Sequence, residues 1–151
     1  MYDGEELLNN ILSDMRVELT DEFDRNFVRK AFFTEKWAPR KKDGKGSLLV
    51  VTGAMRRSIR SSISGHSVVY TSPYPYTDVH NRGGVYNQKV KAHYRTNRKT
   101  GKASRVSAHN RRMAMPKRQF IGDSPEVKNI VKSIVDDNLK DYREHLNDIL
   151  K

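Results

Sequence analysis

Three histidines, His80, His93 and His109, fall within one stretch of the chain, and His80 and His109 each precede an asparagine. That pattern raises the chemistry of an HNH-type nuclease. A hard cation such as magnesium needs oxygen ligands, yet no carboxylate and no cysteine lies between these histidines. His80 is instead expected to pack or hydrogen-bond beside Gly83-Gly84. Ser58, Ser61, Ser62 and Ser64 lack the glycine-flanked elbow that presents a nucleophile, and no pair of acids stands ready for general acid–base work. The loop Arg40 to Gly46 carries glycine and lysine without the GxxxxGK[ST] spacing of a phosphate-binding loop. With no cysteine anywhere, disulfides, zinc knuckles and thiol catalysis are excluded. These residues predict no enzyme, no cofactor and no metal site.

What remains is charge. From Arg82 to Arg118 the chain has no Asp or Glu but carries Lys89, Lys91, Arg95, Arg98, Lys99, Lys102, Arg105, Arg111, Arg112 and Lys117 between those two arginines. Its interior is too polar to build a core, so residues 85–114 are expected to form a projecting basic arm, as a loop, a long hairpin or a disordered segment. The net charge of +11 favours polyanions such as nucleic acid, an anionic membrane or an acidic protein surface. The acids gather near the start, including Glu18, Asp21, Glu22 and Asp24, so acidic ends could meet basic middles in a ring of copies. The longest apolar run, Leu48 to Val51, is far too short to span a membrane. The opening residues show no signal pattern, and a soluble protein made inside a cell is expected.

The elements that must position this arm follow from periodicity. At 151 residues one domain over 1–151 is expected. Leu8, Ile11, Leu12, Met15, Leu19, Phe23, Phe27 and Phe32 recur at three and four residues, which predicts a helix from about Gly4 to Phe33. Trp37-Ala38-Pro39 breaks it. Leu48 to Val51 reads as a short strand, and Thr52 as the cap of a short helical turn through Ser58. Ile59 to Ser64 and Ser67 to Ser72 alternate around Gly65-His66 at hairpin spacing; Ile59, Ser61 and Ile63 are assigned to one face, Val68 and Tyr70 to another. Tyr76, Val79 and His80 suit one side of a helical turn ended by Gly83-Gly84. Arg118 to Ile121 can return as a strand. Asp123-Ser124-Pro125-Glu126 starts a final helix with Asp123 as cap, and Val127, Ile130, Val131, Ile134, Val135, Leu139, Tyr142, Leu146 and Ile149 line its apolar stripe. The class is therefore α+β: a small antiparallel sheet packed against long N- and C-terminal helices, with the basic arm or long hairpin projecting.

Four of these segments also carry a resemblance. Trp37-Ala38-Pro39, the run Leu49 to Ile59, the run Tyr76 to Gly84, and Met115-Pro116-Lys117-Arg118-Gln119-Phe120-Ile121-Gly122 are similar, in order and spacing, to the motifs of the phage virion morphogenesis (tail completion) family. The matching positions are Trp37, Thr52, Gly53, Ser58, Ile59, Tyr76, His80, Gly83, Gly84, Met115, Pro116, Arg118, Phe120 and Gly122. Met55 stands where the family usually has leucine, Thr77 where it has a small residue, and Lys117 and Gln119 interrupt its M-P-A-R-P-F pattern. The resemblance implies a structural phage protein of the neck or tail end, acting in tail completion or head–tail joining through ring interfaces. It further implies a place in the virion, assembly in the host cytoplasm, and other neck or tail proteins as partners. Lys89, Lys91, Arg95, Arg98, Lys99, Lys102, Arg105, Arg111 and Arg112 are then interface candidates. The alternative is a nucleic-acid-binding accessory protein that touches DNA nonspecifically through the arm.

Overall fold

The structure, a computed structural model, describes residues 3–41, 44 and 46–151. The first helix, α1 (Gly4–Arg29), starts where the Asp3 carboxylate accepts from the backbone N–H groups of Glu5 and Glu6 at 3.0 and 2.9 Å, with both glutamates near the positive end of the helix dipole. It ends before Phe33 because Lys30 adopts left-handed geometry and returns its N–H to the Asn26 carbonyl. A tight hairpin of β1 (Ala31–Phe32) and β2 (Glu35–Lys36) follows. That reversal folds Phe32 back against Phe23, with ring centroids 6.4 Å apart. The expected stripe is therefore completed by a hairpin residue rather than by another helical turn.

The last helix, α4 (Pro125–Ile149), runs antiparallel to α1. Val127 shares a core with Leu19 and Phe23, while Asn138, farther along, donates to Asp14 at 2.8 Å. Its cap is Ser124 rather than Asp123, since the Ser124 hydroxyl accepts from Val127 N–H at 3.2 Å. Asp123 instead pairs with Lys128 at 3.3 Å, and Glu126 accepts from the Thr34 hydroxyl. Among the described residues no helix is long and apolar enough to cross a membrane.

Between the helices the chain forms antiparallel two-stranded pairs. Strands β3 (Arg60–Ser64) and β4 (Ser67–Thr71) make the expected hairpin around Gly65-His66. The face assignment is corrected, because Ser61 lies opposite Tyr70 and Ile63 opposite Val68, and directly opposed residues share a face. Tyr70 meets Phe23 edge-on at 5.3 Å, and its hydroxyl lies 3.1 Å from that of Thr20. Leu48 to Val51 is no strand. Ser47 and Val50 close a tight turn with two backbone bonds, and Leu49 sits at φ 61°. Lys42, Asp43 and Lys45 of the preceding basic connection lie outside the described residues. A short helix α2 (Ala54–Ser58) and a third helix α3 (Pro75–Arg82) complete the frame.

Residues 84–115 form a ribbon of four strands: β5 (Gly84–Val90), β6 (His93–Thr96), β7 (Ala103–Val106) and β8 (His109–Met115). Gly84 faces Met115, Val90 faces His109, His93 faces Val106 and Thr96 faces Ala103, so one register runs from root to tip. At about 3.3 Å per residue the ribbon is roughly 40 Å long. The tip closes where Gly101 N–H reaches Asn97 O at 2.8 Å and Asn97 Oδ1 accepts from Lys99 and Thr100 N–H.

Two apolar clusters hold the frame. Leu19, Phe23, Phe32 and Val127 form one; Phe27, Trp37, Met55 and Phe120 form the other, and Ile121 packs on both. Phe120 is the most buried of these side chains at 1 % exposure. Phe120→Ala is therefore expected to destabilise the fold by about 3–5 kcal/mol, whereas Leu150→Ala at the 83 % exposed helix end should change stability by less than about 0.5 kcal/mol. Urea unfolding of the two variants beside the native chain checks this difference.

Candidate functional site

The segment Arg118 to Ile121 was expected to return as a strand. It pairs with no strand; it crosses the centre of the molecule as a strap whose backbone is held by side chains. Asn81 on α3 accepts from Phe120 and Ile121 N–H at 2.8 and 3.1 Å and donates to the Ile121 carbonyl at 3.0 Å. Asn26 on α1 donates to the Phe120 carbonyl at 3.1 Å, and its own carbonyl accepts from Phe33 N–H at 3.0 Å. The indole N–H of Trp37 donates to Gln119 O at 2.6 Å. Arg118 N–H donates to His80 O at 3.0 Å. Asn26 is fully buried, so leaving it without partners would cost on the order of 1–3 kcal/mol. Neither asparagine stood out in the sequence, although Asn26 interrupts an apolar stripe and Asn81 lies inside a motif.

Gly83 sets how closely α3 approaches this strap. It adopts φ 65°, and a Cβ there would lie 2.5 Å from Lys117 N and 2.6 Å from Lys117 Cα, a contact with backbone that cannot move aside. Its neighbour Gly84 opens the ribbon opposite Met115; Pro116 follows, and Gly122 ends the strap.

Above the strap lies a cleft of about 300 Å³ lined by Arg40, Thr52, Gly53, Tyr76, His80 and Arg118, with Leu48, Leu49 and Met55 among its apolar residues. Three of the four motif segments meet there, and Ala38 and Pro39 of the fourth hold Arg118 by accepting from its guanidinium at 3.0 and 3.2 Å. Arg40 donates to the carbonyls of Gly44, Gly46 and Ser47. The cap of α2 is Gly53 rather than Thr52; the Thr52 hydroxyl accepts from Ala54 N–H at 3.3 Å. Ser58 donates to Met55 O and joins a hydroxyl chain through Ser72 to Thr77, at 2.8 and 2.9 Å, while Ile59 packs against the Trp37–Phe120 cluster. Tyr76 stacks on Tyr74 with centroids 5.0 Å apart.

His80 lines this cleft from α3. Its Nδ1 is buried without a hydrogen-bond partner. Burial first, and the Arg118 charge second, hold its pKa below the ordinary 6.5. Burial and the nearby Arg40 likewise pull Arg118 below the usual arginine value. The arrangement favours a neutral imidazole beside guanidiniums that brace the backbone. His93 and His109 lie on the ribbon, each within 2.9 Å of the carbonyl two residues earlier. Among the described residues no three His, Cys, Asp or Glu side chains gather as a metal site.

The ribbon presents cations on both faces. Lys89 lies opposite Asn110 and Arg112 opposite Asn87, on the face away from Arg111; Arg95, opposite Ser104, lies on the face away from Arg105. Arg98, Lys99 and Lys102 surround the tip, and Lys91 sits at the break between the two paired sections. Among the described residues none of these cations is in an ion pair. The acids of α1 are in part already taken: Asp21 and Glu22 hold Arg25, Glu22 holds Arg29, and Asp24 holds Arg56.

A family model described as the phage virion morphogenesis family matches residues 8–140. No curated protein and no solved structure matches the chain.

Two expectations follow from the strap. Asn81→Ala leaves Phe120 and Ile121 N–H without their acceptor and should cost about 1–3 kcal/mol in urea unfolding; Asn81→Asp, which keeps an acceptor, should lose less. His80 has a folded pKa below its unfolded one, so acidification protonates the unfolded chain first. Its contribution to stability is then full above about pH 6.5 and falls as the pH drops toward the folded value. A melting series across that window should show this slope in the native protein and a shallower one in His80→Gln.

Proposed function

The chain belongs to the phage virion morphogenesis family, and from that premise we propose that it is a structural protein of the neck or tail end of a phage particle. In this reading it serves tail completion or head–tail joining. It assembles as a ring of copies, sits in the virion, and takes neighbouring neck or tail proteins as partners. The single domain supplies the frame and the ribbon supplies an interface element.

The observation that carries this reading is the use to which the motif residues are put. Trp37, Gly83, Arg118 and Phe120 all act on the strap: one donates to it, one lets a helix approach it, and two belong to it. Those are roles of a scaffold. Among the described residues that line the cleft there is no carboxylate to pair with His80, and its arginines brace the backbone, which favours a scaffold over a catalyst.

Electron micrographs of particles assembled without this protein are expected to show heads and tails that are unjoined or tails left unfinished, restored when the protein is added back. Normal particles would overturn the reading. Sedimentation of the purified chain should give a closed oligomer at high concentration, and plasmid incubated with it and magnesium or manganese should stay intact. Cleavage that disappears in His80→Ala would replace the structural role by a nuclease.

A further inference from the structure

We infer that the ribbon of residues 84–115 is a binding element for double-stranded DNA, laid along a groove of the duplex with its lysines and arginines on the phosphates. This rests on the ribbon being an interface element and does not depend on the ring.

Shape is the first support. A two-stranded ribbon has strands about 4.8 Å apart and side chains on both faces, and the major groove, about 12 Å wide, admits such a ribbon. The same register holds in both paired sections, Gly84–Val90 against His109–Met115 and His93–Thr96 against Ala103–Val106, with a short break at Lys91 and Ala92 between them. Most residues of the ribbon are exposed and none is buried, so its side chains are accessible to a duplex.

Charge is the second. Cations project from both faces and from the tip, and no carboxylate occurs between Asp78 and Asp123. A ribbon inside a groove has phosphates along both of its edges, and long lysine and arginine side chains can reach them from either face. Asn87, Gln88, Asn110 and Ser104 lie between the cations and supply the neutral hydrogen-bonding groups that commonly join Lys and Arg in contacts to phosphate and sugar.

An acidic protein surface is the rival occupant, and the composition disfavours it. Protein interfaces centre on apolar and aromatic side chains and are depleted in lysine. Of the large apolar or aromatic residues on the ribbon, only Val85 and Tyr94 are prominently exposed, at 54 % and 76 %. Within the chain itself, Asp21, Glu22 and Asp24 already hold their own arginines, so a second copy offers fewer open acids there than its sequence suggests.

The test is binding of the full-length protein to a short duplex of arbitrary sequence, followed by fluorescence anisotropy over a salt series. Contact with about six phosphates should lower the affinity on the order of a thousandfold between about 50 and about 200 mM salt. A variant with Lys89, Arg95, Arg98, Lys99, Lys102 and Arg105 changed to Gln should lose nearly all of that salt dependence, with an unchanged melting temperature because none of these residues joins the core. Retained affinity in the variant overturns the proposal. So does tighter binding to single strands than to duplex, which removes the groove. Equal competition by polyglutamate also overturns it, since an acidic protein would then be the better partner. Tail completion is scored separately in particles, so loss of DNA binding leaves the structural role standing, and the reverse holds as well.

Discussion

Everything in this fold leans on a backbone segment that has no strand to pair with. The strap from Arg118 to Ile121 passes between α1, α3 and the Trp37 turn, where an unpaired N–H or carbonyl is costly. Two asparagines and a tryptophan take the place of a neighbouring strand. Because each comes from a different part of the chain, the strap forces those parts into one arrangement. Phe120 then seals the space between Phe27 and Trp37, so polar and apolar contacts constrain the same few residues. The cleft above it is a by-product of that arrangement, with Arg118 braced to the Trp37 turn on one side and His80 on the other.

Much of this frame was legible in the sequence because its signals are periodic. The two long helices, the Gly65-His66 hairpin and the stop at Gly83 were all visible from spacing and residue type. Two of the misassignments share a physical reason. Leu48 to Val51 and Arg118 to Ile121 are short apolar runs, and a run of that length carries no period to separate a strand from a turn or a strap. Ser124 and Asp123 are both good caps one residue apart, and geometry alone decided between them. Asn26 and Asn81 were hidden for a different reason: an amide that satisfies a distant backbone leaves no local pattern, only a polar residue where an apolar one would fit.

The same contrast applies to the candidate site. The motif positions converge because the strap and its supports are drawn from them, a convergence that the order of motifs along the chain does not convey. The orphaned Nδ1 of His80 depends on what buries it, which no spacing conveys. Charge in the ribbon was plain from the sequence, while its distribution over two faces required the register.

The ribbon also has two open edges, each a row of backbone donors and acceptors that no third strand occupies. Such edges invite pairing with the same edge on another copy. Here the side chains along them repel their own kind, so like-charged ribbons on separate copies resist zipping together in solution. Positive charge along an open edge thus guards against self-aggregation. An edge of this length without such charge would pair more readily with a neighbouring copy.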